Sequence, residues 1–316
     1  MKKNSPKMIA ALAVVSLTLL AGCTELPGKA KVNQESEQSQ SDGVEQNLGE
    51  AVKQGLGQAA AAVTQAAQDT ADKVVAGFKE GSISKELQIS QTIGSASALS
   101  IENSVGVIAV RAVGSDQINV KATIQSYKNF NSEQERQEIL DNAEVSVQIS
   151  GDKLIISTHA KDAPKKDLWS WAQRKYGSSD FSIDYDIEVP KSVDMYQVSN
   201  DVGKIQLSGL QGTYRVSTDV GAIHISDATI AGKSTIESDT GSITLNIAAL
   251  NEGSSLKAKT DVGPITATLA GGLNYSLEVG SEIGQIKGAT KGKSKVGNGG
   301  PLVSLSSDVG AITVHK

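Results

Sequence analysis

The chain is poor in the residues that staple, stack or interrupt a fold. Its 316 residues include one cysteine, Cys23, so no internal disulfide can form in any redox compartment. It has two Trp, six Tyr and three Phe, fewer than an aromatic-lined cleft or a base-stacking platform draws on. Prolines number six, and few fall inside the alternating runs that read as strands. After the first 22 residues no run approaches the roughly 20 apolar residues that a membrane-spanning helix needs. Positive charge is also short. Without the three lysines of those first residues, 27 basic side chains face 35 acidic ones, a formal charge of −8. That argues against a nucleic-acid partner, which calls for a basic stripe, and against electrostatic docking on anionic lipid heads.

What is present begins with a targeting segment. Lys2, Lys3 and Lys7 precede a short apolar run, Met8 to Leu20, which ends in Leu20-Ala21-Gly22-Cys23. This order marks an export signal over residues 1–22. The alternative is an ordinary signal with a chance cysteine. LAGC resembles the lipobox of bacterial lipoproteins. The resemblance implies cleavage between Gly22 and Cys23, then acylation of Cys23 on its sulfur and new amino group, with palmitate as one such chain. The expected partner is therefore a membrane, held through the lipid. Thr24 gives no retention signal of the aspartate kind, which favours the outer membrane where a host has one.

Residues 23–43 are polar and read as a disordered tether. Over 44–81, Val44, Leu48, Val52, Leu56, Val63, Ala67, Ala71, Val74 and Phe78 recur at helical steps in an Ala-rich background, the mark of an amphipathic helix. A spacer, a helix packed on the domain and a self-associating or membrane-lying helix all fit that pattern.

From about residue 87 the pattern turns to strand. An internal repeat of acid–apolar–Gly–any–Ile reads DVGKI at Asp201, DVGAI at Asp219, DTGSI at Asp239, DVGPI at Asp261, EIGQI at Glu282 and DVGAI at Asp308, with a degenerate SVGVI at Ser104. Its glycines are Gly106, Gly203, Gly221, Gly241, Gly263, Gly284 and Gly310. Two residues after each stands Ile: Ile108, Ile205, Ile223, Ile243, Ile265, Ile286 and Ile312. Period-two alternation buries odd offsets before the glycine and even offsets after it. A straight strand cannot switch parity, so each glycine marks a bend. A two-strand unit of about 20 residues cannot bury its own apolar face, whereas stacked units can. The expected fold is all-β, a right-handed β-helix or solenoid over 87–316, with rungs about 4.8 Å apart.

An insertion over about 126–180 separates Gly106 from Gly203. Within it, Ser132 and Glu135 form a capping box for a short helix, Gly151-Asp152 turns a hairpin, and residues 161–180 read as a polar loop carrying Trp169, Trp171 and Tyr176. These three are candidate partner contacts, with packing of the loop onto the solenoid as the alternative. Phe181 to Val189 then alternates again.

The IDYDIEVP strand, the tandem DVGxI units and the closing SSDVGAITV resemble the bacterial family of unknown function called putative adhesins, over roughly residues 88–316. The resemblance implies a β-solenoid outside the cytoplasm with no known catalytic motif. The acidic column (Asp201, Asp219, Asp239, Asp261, Glu282, Asp308) fits turn structure, with calcium binding or glycan cleavage as alternatives. His159, His224 and His315 lack motif partners and are expected at the surface. No enzyme activity, cofactor or metal is expected. The preferred role is a lipid-anchored envelope protein that presents its solenoid to an unknown protein or polysaccharide. The alternatives are an envelope-stress scaffold and a polysaccharide-cleaving enzyme.

Overall fold

A computed structural model describes residues 82–128 and 131–316. The signal segment, Cys23, the tether and the 44–81 segment lie outside the described residues.

The described chain is all-β with two short helices. Its N-terminal part contains β1 (Ile83–Thr92), β2 (Ala98–Val113), β3 (Gln117–Ser126), α1 (Glu133–Asn142), β4 (Ala143–Ser150), β5 (Lys153–Ala160), β6 (Ala163–Asp167), α2 (Leu168–Tyr176) and β7 (Phe181–Pro190). The repeats follow as β8 (Met195–Ser208), β9 (Gln211–Ile230), β10 (Lys233–Leu250), β11 (Ser255–Val262), β12 (Ile265–Leu269), β13 (Tyr275–Ile283), β14 (Ile286–Lys287), β15 (Gly292–Val296), β16 (Leu302–Val309) and β17 (Ile312–His315). All are joined in one mixed, open sheet.

Within the repeats the ladders are parallel and the units lie in register. Gly106 pairs with Gly203, Gly203 with Gly221 and Gly221 with Gly241, so equal offsets stack. Six of the seven Ile of the column pile up as expected: Ile108, Ile205, Ile223, Ile243, Ile265 and Ile312 are buried, whereas Ile286, on the outermost rung, is half-buried. The column five before the glycine, from Ile101 to Leu305, is buried too. The column one before it sits at the corner instead, and there Ile283 is 44% exposed.

The bend follows from crowding as well as backbone freedom. Gly221 and Gly241 both have φ +147°, a region that L side chains avoid. A Cβ on Gly221 would lie 1.7 Å from the carbonyl oxygen of Gly203, and one on Gly241 would lie 1.6 Å from that of Gly221. Rungs can approach this closely only where both lack side chains.

Three residues before each glycine runs a buried polar column: Asn103, Asn200, Thr218, Ser238, Thr260, Ser281 and Ser307. Asn200 donates to the carbonyl of Gly106 at 2.9 Å, Thr260 to that of Gly241 at 3.3 Å and Ser307 to that of Gly263 at 3.0 Å. At these three bends the neighbouring rung supplies the glycine carbonyl's donor, as a buried acceptor requires. Thr218 and Ser238 make no such bond.

The order of the rungs departs from chain order at one end. β16 and β17 lie between β11/β12 and β13/β14, parallel to both, and β15 closes the edge antiparallel to β13. Simple sequential stacking therefore fails for the last rung. At the other end β2 is flanked by β5 along its first half and by β7 along its second. Antiparallel strands finish this end: β4 on β5, and β3 on β7 with β1 beyond it. The Ile183 carbonyl in β7 takes the place of a rung glycine's, accepting from Asn103 at 3.1 Å.

Candidate functional site

The outward columns offer two faces of opposite character. Before the bend, the acidic column lies on the surface. Asp201, Asp219 and Asp239 are exposed, whereas Asp261 and Asp308 are partly covered. Lys259 lies 2.5 Å from Asp261 and 3.7 Å from Asp308, so it spans two neighbouring rungs. Partial desolvation and the nearby charge of Asp219 push the Asp201 carboxyl above its usual range. Among the described residues no three His, Cys, Asp or Glu gather where a metal could be held. Exposed carboxylates one rung apart repel, and a cation between them, as at Lys259, relieves that repulsion.

After the bend, the outward face is built from Gln206, His224, Thr244, Thr266 and Thr313 in one row, which β8 to β17 hold in register. It continues into the antiparallel strands, where a shallow groove of about 370 Å³ opens over β1, β3, β7 and β2. Its floor is a polar network. Arg111 contacts Asp186 and lies 2.8 Å from Glu188, Asn119 donates to Glu188 at 2.9 Å, and Ser90 donates to Asn119 at 2.6 Å. Hydrogen bonds from Asn119 and Arg111 hold the Glu188 carboxyl below its usual range. These pairs are exposed enough that each adds little stability. Their effect is to fix the direction of five polar side chains.

The candidate contact residues Trp169, Trp171 and Tyr176 lie on α2, not in a loop. Asp167 caps this helix by accepting from the Ser170 amide, and Gly177 ends it at φ 77°. Trp169 is 6% and Trp171 7% exposed. Trp169 stacks on Phe181 with centroids 5.2 Å apart. Trp171 meets Tyr176 edge-on under Lys175, and the Tyr176 hydroxyl donates to Glu138 of α1 at 2.7 Å. The two indoles pack the insertion together and offer no open ring face. A capped helix of nine residues with four buried positions explains why this charged stretch folds.

The histidine expectation needs one correction. His224 and His315 are exposed, but His159 is 5% exposed, with Nε2 3.2 Å from the Ser146 hydroxyl. It shares a face of β5 with Ser157, opposite the buried Leu154, Ile156 and Thr158, and is covered where β6 and α2 pack on that strand. The seven repeat glycines form one stack, as their shared motif requires. Sequence reading passed over the Arg111–Glu188 network because its members lie in β1, β2, β3 and β7, far apart in the chain. The one available signal was the polar alternation of β3 and β7.

No protein-family model matches the chain, and no curated protein sequence matches it. Its structure is similar to that of a putative cell adhesion protein from Clostridium sporogenes, at 11% identity and a TM-score of 0.39, over 74% of this chain and 99% of that one. It is also similar to a putative adhesin from Bacteroides fragilis, at 16% identity and a TM-score of 0.31, over 73% and 97% of the two chains. A third likeness, to a putative lipid binding protein from Parabacteroides distasonis, has 14% identity and a TM-score of 0.21, over 76% and 98%. Values this low leave function to be argued from the chain's own residues.

Proposed function

We propose that this is a lipid-anchored cell-envelope protein that presents a β-solenoid outward from the cell as a contact surface for an unknown protein or polysaccharide. The observation that carries this reading is the register. Equal offsets stack from β2 to β10, so outward residues form fixed rows of like side chains, as an extended binding surface requires. The stack is read as right-handed, because parallel crossover connections take that hand in nearly all proteins. Cys23 is the proposed attachment point, with cleavage after Gly22, and the acidic column is read as surface turn structure. The protein is proposed to work by contact and not by chemistry, with no cofactor.

Labelling cells with a palmitate analogue and fractionating them tests the anchor. Wild-type protein is expected to carry label and to sediment with membranes, while Cys23→Ser is expected to lose both. A Cys23→Ser protein that stays on membranes as wild type does contradicts the anchor.

A further inference from the structure

The two outward faces differ in charge. Two and four residues before the glycines of the five rungs from Gly203 to Gly263 and Gly310 stand ten residues, of which seven are charged, five of them aspartates. Three and five residues after the same glycines stand ten more, and none is Asp, Glu, Lys or Arg; at these offsets charge appears only in the two outermost rungs, as Arg111 and Lys287. That face carries hydroxyls, amides and imidazoles, including Thr266, Thr313, Asn246 and Ser226, all partly or fully exposed.

We propose that this face, together with the Arg111–Asn119–Glu188 groove that continues it, binds a neutral, extended, β-linked polysaccharide strand lying across the rungs. The inference rests on the contact-surface reading above and names its partner class.

Three features support it. Charge complementarity comes first: the five inner rungs carry no charge on this face, in a chain where 21% of residues are charged, and in the groove Arg111 and Lys121 are paired with Asp186, Glu188 and Glu86, which matches an uncharged partner. Geometry is second. Rungs repeat at about 4.8 Å and alternate side chains along a strand at roughly 7 Å. Such a lattice of donors and acceptors meets successive sugars of an extended chain, each with hydroxyls on its edges. Pre-organisation is third. The groove's planar groups are already held by one another, Asn119 to Glu188 at 2.9 Å and Arg111 to Glu188 at 2.8 Å. Binding vicinal hydroxyls there freezes little further side-chain freedom.

Pelleting the purified lipid-free chain with microcrystalline chitin and with cellulose tests this. Wild-type protein is expected to sediment with at least one of them. Thr266→Lys, which sets a charge and a long side chain in the middle of the face, is expected to weaken sedimentation about tenfold. Ser217→Lys, on the other face, is expected to leave it unchanged, with both variants melting as wild type does. Absence of wild-type sedimentation with both polymers overturns the inference, as does equal loss in Ser217→Lys. Neither result touches the anchor, which the Cys23→Ser fractionation tests separately.

Discussion

Ser307 donates its hydroxyl to the carbonyl oxygen of Gly263, one rung away, at 3.0 Å. Both lie at the bend, and the same pairing joins Thr260 to Gly241 and Ser281 to Gly310. At Gly106, Gly241, Gly263 and Gly310 the bend thus has two halves: a residue without a side chain, and a buried polar donor from the next rung.

Removing the donor leaves a buried carbonyl short of a partner. Ser307→Ala is expected to cost about 1–3 kcal/mol in urea unfolding. Ser238 occupies the equivalent offset without a bond, so Ser238→Ala is expected to stay within about 0.5 kcal/mol of wild type. Equal costs for the two would remove the proposed role of the polar column.

The glycine half is tested by contrast between two glycines. At Gly221 an added Cβ meets the Gly203 oxygen at 1.7 Å and φ is +147°, so Gly221→Ala is expected to cost about 3 kcal/mol or more. Gly253 also has positive φ, +73°, but has nothing within 4 Å. Gly253→Ala carries strain alone and is expected to cost about 1–2 kcal/mol.

Much of this was legible beforehand. The Ile column, the glycine column and the switch of buried parity all lie within one unit, so the sequence displays them directly. The capping box of Ser132 and Glu135 is equally local, and both of its hydrogen bonds are present. The polar column was not read, although Asn103 to Ser307 share one offset, because its acceptors belong to the neighbouring rung. The displaced order of the last two rungs left only a faint trace: 26 residues separate Gly284 from Gly310, against 18–22 in the preceding spacings. The extra length forms the β15 edge strand. Charge concealed α2, where Trp169 and Trp171 are buried by Phe181 and Tyr176, partners outside the local pattern.

The insertion depends on those indoles. Trp169→Ala removes the stack on Phe181 and is expected to cost about 3–5 kcal/mol in chemical denaturation. If Trp169 served partner contact alone, stability would stay near wild type.

Acid should relieve the ridge. Desolvation and Asp219 raise the Asp201 pKa in the folded state, so the folded chain binds more protons than the unfolded chain in the window from the usual Asp value up to the raised one. Ionised Asp201 therefore works against folding at neutral pH, and that penalty fades as pH falls through the raised pKa. Asp201→Asn is expected to melt higher than wild type at pH 7, with the gap closing towards pH 3. A gap that grows on acidification would reverse the sign assigned to this carboxylate.

Outward presentation is the centre of the account. Intact cells carrying the full-length protein would be treated with protease, with a cytoplasmic protein as the control for lysis. The account predicts that the β domain is shaved from intact cells while the control stays whole. A domain that remains untouched on intact cells, yet is digested once they are broken, would contradict it.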